Sequence, residues 1–261
     1  MSHPKNEKID IFIPAIEKDL NTLPHVIDAI RKFVKHPIGK IMIVAPPSPR
    51  IISLCNQKKC TFINENFVLP IKKSDIDYKS AKWERSGWLF QQLLKLNCDK
   101  FASQQFILVI DADTVFIRPH VFRKKKKTVY FCRYWSHQEY FRAYKRLLGK
   151  KAKSPHSFVT HYMLFEKSKL ARFKKKIESK QKRKWYSAII KCTNKASKVG
   201  FSEFESYGNF IYSKYPGSFV IKKASNKSLY TNASSVSSSQ REEFAKRFRS
   251  LSFHKRSAYN R

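Results

Sequence analysis

Apolar residues in this chain gather in short, nearly unbroken runs. Ile9-Asp10-Ile11-Phe12-Ile13-Pro14-Ala15 is the first, Lys40-Ile41-Met42-Ile43-Val44-Ala45 the second, and Phe106-Ile107-Leu108-Val109-Ile110 the third, with no polar break. Runs of this length suit strands buried on both faces, as in a parallel sheet covered by helices. Between the first two, Asn21-Thr22-Leu23-Pro24 reads as a helix start with proline in the first turn. Val26, Ile27, Ile30, Phe33 and Val34 then share one face of a helix from Val26 to Lys35. A strand, a helix and a second buried strand in this order predict a mixed, mainly parallel α/β sheet flanked by helices.

The later pattern continues that architecture. A short strand is expected at Thr61 to Glu65 and a helix over Tyr78 to Leu96. Thr128 to Tyr134 reads as a strand, His137 to Leu148 as a helix, and Ser157 to Phe165 as a strand carrying His161. Lys167 to Ile190 predicts one long or two short basic helices, and Phe201 to Tyr212 a helix bearing Glu203 and Glu205. Phe219 to Ile221 is a late strand. The Ser- and Asn-rich stretch from Ser225 to Gln240 reads as a flexible loop able to close over a ligand. A short helix, Arg241 to Ser250, and a last strand or turn from Leu251 complete the chain. The whole, 1–261, is expected to be a single domain.

Composition removes several function classes. Apolar content of 42% with 14% aromatic excludes general disorder. Only six glycines are present and neither G-x-G-x-x-G nor a P-loop occurs. Five scattered cysteines without C-x-x-C suit reduced thiols. No signal peptide and no apolar run of spanning length is visible, so a cytoplasmic location is expected, with contact at the inner face of a membrane as an option. Net charge is +35, from 54 basic against 19 acidic residues, with lysine tracts at Arg123–Lys127, Lys174–Lys176 and Lys180–Lys184. Such a charge suits a polyanionic partner or a plain solvated basic face. Nucleic acid is disfavoured, because no helix-turn-helix, zinc-finger or RNP pattern accompanies the charge.

The candidate chemistry lies where the third apolar run ends. Asp111 and Asp113 stand one residue apart, and apolar residues resume at Val115-Phe116-Ile117. In open α/β sheets, ligands bind outside the carboxyl ends of the strands. Two neighbouring carboxylates there suit a hard divalent cation, Mn2+ or Mg2+; in a more open loop they would simply form a turn. Arg85, near the start of the preceding helix, suits phosphate. Glu203 and Glu205 stand alone in a basic region, and their spacing puts them on different sides of a helix, so only one faces a common site.

The segment Ile110-Asp111-Ala112-Asp113-Thr114-Val115-Phe116-Ile117-Arg118-Pro119 resembles the DxD segment of GT-A-fold nucleotide-sugar glycosyltransferases. Lys82 to Leu96 resembles the family's helix before that strand, Thr160 to Phe165 its acceptor-side strand, and Phe201 to Phe210 the acidic helix of a largely uncharacterised bacterial branch. The resemblance implies a transferase moving a sugar from a nucleotide-diphosphate donor, UDP-linked, to a glycan or lipid-linked acceptor in cell-envelope polysaccharide synthesis. It places Pro14, Ala15 and Asp19 at the nucleotide, and Lys82, Arg85 and Lys255 at the diphosphate. Asp111, Asp113 and His254 would hold Mn2+ or Mg2+, with Asp111 alternatively on the ribose. Glu203 or Glu205 would bind or deprotonate the acceptor hydroxyl, and His161 and Tyr207 would border the sugars. The alternatives are a nucleic-acid-binding protein, or a membrane-surface scaffold of the same fold without catalysis.

Overall fold

The structure, a computed structural model, describes residues 7–254. The chain runs β1 (Ile9–Pro14), α1 (Leu23–Phe33), β2 (Ile38–Ala45), α2 (Pro49–Gln57) and β3 (Thr61–Asn64). A small hairpin follows, β4 (Lys79–Ser80) and β5 (Trp83–Glu84), leading into α3 (Ser86–Leu96). Next come β6 (Phe106–Ile110), β7 (Thr114–Phe116), β8 (Arg123–Lys124), β9 (Lys127–Cys132), α4 (Gln138–Leu148) and β10 (Tyr162–Glu166). The last part is α5 (Lys167–Gln181), α6 (Trp185–Cys192), α7 (Glu203–Lys214), β11 (Phe219–Lys223), β12 (Asn226–Leu229), α8 (Ser238–Arg247) and β13 (Ser250–Phe253).

The central sheet has the order β10-β6-β1-β2-β3. β6, β1, β2 and β3 are parallel, and β10 is antiparallel to β6. Residues alternate between two cores, one on each face: Ile107 and Val109 point to the side of α3 to α7, Leu108 and Ile110 to the side of α1 and α2. The unbroken apolar run of β6 is therefore required, because neither face meets water. Asp10 breaks the first run yet is fully buried. Its carboxylate accepts the backbone N–H groups of Lys40, Ser103 and Gln104 at 2.7–2.9 Å, which ties β1 to its neighbours away from the site.

The chain winds from β1 outward through β2 to β3, then crosses back to place β6 on the other side of β1. The winding reverses between β1 and β6, and such a switch point opens a crevice at the carboxyl ends of the two strands. Pro14 and Asp111 stand at those ends.

Three expectations are corrected, and one choice is decided. The helix expected from Tyr78 begins only at Ser86, because 79–84 turns back as the β4–β5 hairpin. The strand expected from Ser157 begins at Tyr162, because His161 adopts a left-handed backbone with φ of 70°. The basic stretch, read as one long or two short helices, forms two, separated at Lys182, which is also left-handed. The loop expected from Ser225 to Gln240 instead contains β12 and the first turn of α8. There Ser237 and Gln240 form a reciprocal capping box, so serine marks a helix start. β12 pairs with β13, and β13 pairs with β7 directly after the Asp111–Asp113 turn.

Candidate active site

The crevice between β1 and β6 opens into a cavity of about 740 Å³. Pro14, Ala15 and Asp19 form one wall, the start of α3 another, and Asp111, Asp113, His161, Glu203 and His254 the floor and far side.

Asp111 and Asp113 leave β6 in a tight turn, in which the Asp111 carbonyl accepts the Thr114 N–H at 3.1 Å. β10 delivers His161 to them. Its carbonyl accepts the Asp111 N–H at 2.9 Å, and its Nδ1 lies 3.2 Å from Asp111 Oδ2. The left-handed backbone of His161 is unusual outside glycine, and non-glycine residues held in this region cluster at sites where geometry matters. One ligand atom each of Asp111, Asp113 and His161 lies within 4.8 Å of the others. Two carboxylates and an imidazole at this spacing fit a divalent cation with oxygen preference, Mn2+ or Mg2+.

His254, expected to hold the metal, stands at Asp113 in the same cavity. It follows β13 directly, and its Nδ1 lies 3.2 Å from Asp113 Oδ2 and its ring 5.4 Å from that of His161. The hydrogen bond that its ring donates to Asp113 raises the His254 pKa against the opposing effect of burial. His161, expected beside the sugars, is the imidazole grouped with both aspartates.

The buried Lys95, which also lines the cavity, bonds Asp111 Oδ1 with its ammonium and lies 2.7 Å from Glu203 Oε1. Burial alone would raise the Asp111 carboxyl. The Lys95 charge and the His161 hydrogen bond outweigh it and hold the group well below the usual carboxylate range. The same two carboxylates raise Lys95 above its ordinary value despite burial. Glu203 moves the other way, raised by burial with Asp111 adding to it and Lys95 opposing. Lys95 carried no assigned role in the sequence, nor did Gln92, whose Oε1 accepts the Glu203 N–H at 3.1 Å. Their signal was a Gln–Lys pair three residues apart on a helix that is apolar over most of its surface.

The two glutamates do separate. Glu203 reaches the cavity, while Glu205 is fully buried away from it and accepts hydrogen bonds from Ser136, Ser157 and Asn209. Tyr207 is also removed from the cavity: its ring packs against Phe165 at 4.5 Å, and its hydroxyl accepts the Glu166 N–H. Arg85 caps α3 at the cavity, its guanidinium 4.1 Å from the Trp88 ring centroid. Lys82 sits on the hairpin, exposed and outside the cavity lining, and Lys255 lies outside the described residues. Lys18 and Lys73 line the cavity instead. Burial raises the Asp19 carboxyl to about 6; its Oδ2 accepts the Ile16 N–H at 2.9 Å.

No curated protein matches the chain. Among solved structures, mouse xyloside xylosyltransferase 1 in its apo form is 10% identical over 86% of this chain and 88% of its own, with a TM-score of 0.47. Glucosyl-3-phosphoglycerate synthase from Mycobacterium tuberculosis, in complex with Mn2+ and uridine-diphosphate-glucose, is 14% identical over 42% of this chain and 34% of its own, with a TM-score of 0.29. Mannosyl-3-phosphoglycerate synthase from Rubrobacter xylanophilus is 19% identical over 43% and 33%, with a TM-score of 0.29. The chain thus spans about a third of the length of either synthase, and at these scores the likenesses carry no argument about activity. The match over residues 6–247 is to a family model described as "Family of unknown function (DUF6492)", and the chain belongs to that family.

Proposed function

We propose that this protein is a metal-dependent glycosyltransferase of GT-A type, taking a sugar from a nucleotide-diphosphate donor, UDP-linked, to a hydroxyl of a glycan or lipid-linked acceptor. The observation that carries the proposal is the grouping of Asp111, Asp113 and His161 within 4.8 Å at the sheet's switch point, on the floor of the cavity. When bound there, Mn2+ or Mg2+ supplies Lewis-acid compensation for charge on the departing diphosphate.

The chain's own residues divide the remaining work. Pro14 and Ala15 offer a wall for the base, and Arg85, Lys73 and Lys18 offer cations to the phosphates. Lys95 holds the Asp111 carboxylate in its charged form, the form that receives a cation. Glu203 is engaged by Lys95, which suits it to holding the floor in place. The basic surface suits an anionic membrane face or a lipid-linked acceptor in envelope polysaccharide synthesis. Among the described residues no helix is long and apolar enough to cross a membrane.

The test is a thermal-shift screen of nucleotide diphosphates with and without Mn2+, since a ligand that binds only the folded state raises its apparent stability. A Mn2+-dependent shift with UDP is expected, and Asp113→Asn should abolish it with an unchanged melting temperature in the absence of ligand. A shift that persists in that variant would overturn the metal assignment; no shift with any nucleotide diphosphate would overturn the donor class.

A further inference from the structure

A second cleft, of about 400 Å³, lies between residues 134–141 and 154–157. Its rim carries two large aromatic side chains turned to solvent, Tyr134 at 77% and Trp135 at 60% exposure. Neither is loose. Trp135 is met edge-on by His137 at 4.6 Å and has the Arg133 guanidinium 5.4 Å from its centroid. Tyr134 is met by His156 at 5.6 Å.

The two walls are locked together from below. The backbones of Arg133 and Ser157 exchange hydrogen bonds of 3.0 and 2.7 Å. Ser136 from one wall and Ser157 from the other both donate to Glu205 Oε2, at 2.9 and 2.7 Å, while Asn209 donates to Oε1 at 2.9 Å. Glu205 is thus the buried tie under this cleft, a use that its isolation among basic residues did not reveal.

The lining is uncharged apart from its two imidazoles: aromatic rings, serine hydroxyls, the Gln138 amide and Pro155, with no Lys, Arg, Asp or Glu. In a chain with 54 basic residues, that selects against a polyanion. Flat apolar rings beside the Gln138 amide, the imidazoles and serine oxygens whose protons are already donated within the protein match a ligand with C–H faces and a rim of hydroxyls that can donate. We propose that Tyr134 and Trp135 form a binding platform for a neutral saccharide.

Its position gives the platform a use. His137 and Ser157 line this cleft, whereas Tyr140 and Val159, a few residues further along the same two segments, line the catalytic cavity with His161. The four residue steps from Ser157 to His161 span at most about 14 Å. A short oligosaccharide seated on the platform would direct its end toward the cavity as acceptor. That acceptor role rests on the proposed glycosyl transfer; saccharide binding does not.

The experiment is calorimetric titration of the full chain with cellotetraose, chitotetraose and mannotetraose, beside the UDP–Mn2+ thermal shift. At least one saccharide should bind. Trp135→Ala should weaken it by about two- to tenfold, the scale of a lost aromatic stack, and Tyr134→Ala should weaken it as well, both with the nucleotide shift intact. No binding of any of the three, or binding unaltered in both variants, overturns the platform. Saccharide binding without any nucleotide shift upholds the platform and overturns the acceptor role.

Discussion

Lys95 Nζ and Glu203 Oε1 lie 2.7 Å apart in the interior, although 108 residues separate them in the chain. The pair joins α3 to α7 beside Asp111, which Lys95 also bonds. Replacing Lys95 by Met leaves Glu203, with a side chain only 4% exposed, buried without its cation. Breaking a buried pair from one side costs about 3–5 kcal/mol, and urea unfolding of Lys95→Met should show a loss of that size. A loss no larger than that of an average surface substitution would mean that the pair does not anchor the floor.

The two histidines of the floor should respond differently to substitution. His161→Ala removes a member of the Asp111–Asp113–His161 group, whereas His254→Ala removes a hydrogen-bond partner of Asp113 outside that group. Loss of such an outer partner typically weakens metal binding about 10–100-fold. Mn2+ titration followed by paramagnetic resonance should show a larger loss for His161→Ala than for His254→Ala. The reverse order would make His254 the third ligand.

Gly208 on α7 sits against the Phe158 ring so closely that an added Cβ would come within 2.1 Å of it. A methyl group there forces the helix or the ring to move, and overpacking of this kind costs about 1–3 kcal/mol. Alanine's better helix propensity returns only about 1 kcal/mol. Gly208→Ala is therefore expected to melt at a lower temperature than the wild type. An unchanged or higher melting temperature would show that this contact can relax at no cost.

His120 gives the protein an acid limit independent of the carboxylates on the floor. It is buried, stacks on Phe116 at 4.0 Å and lies near Phe122; burial lowers its pKa from 6.5 to about 3. The fold therefore holds the neutral ring. The unfolded chain takes up a proton below about pH 6.5 that the fold refuses. Stability from this residue is complete above pH 6.5 and declines as pH falls toward 3, by up to about 4 kcal/mol. Comparing urea unfolding of the wild type with that of His120→Gln at several pH values isolates this residue. The difference between the two should change in the variant's favour on acidification; a difference independent of pH would show that His120 titrates normally in the fold.

The short apolar runs determined β1, β2 and β6, because a strand with no solvent face must be apolar at every position and such a run is visible in one dimension. They also fixed where Asp111 and Asp113 stand, since residues at the end of a buried strand emerge at the sheet's carboxyl edge. The divergence of Glu203 and Glu205 followed from helical spacing alone. Local signals misled where a residue had two uses: serine at 237 caps a helix in a stretch that reads as loop, and Glu205 braces a cleft where an isolated acid suggested chemistry. Only the tertiary structure decided which groups meet. Lys95 and Glu203, or His161 and Asp111, are brought together by strand order and by one left-handed residue. Contacts between distant segments depend on how the sheet is wound, and no local period in the sequence records the winding.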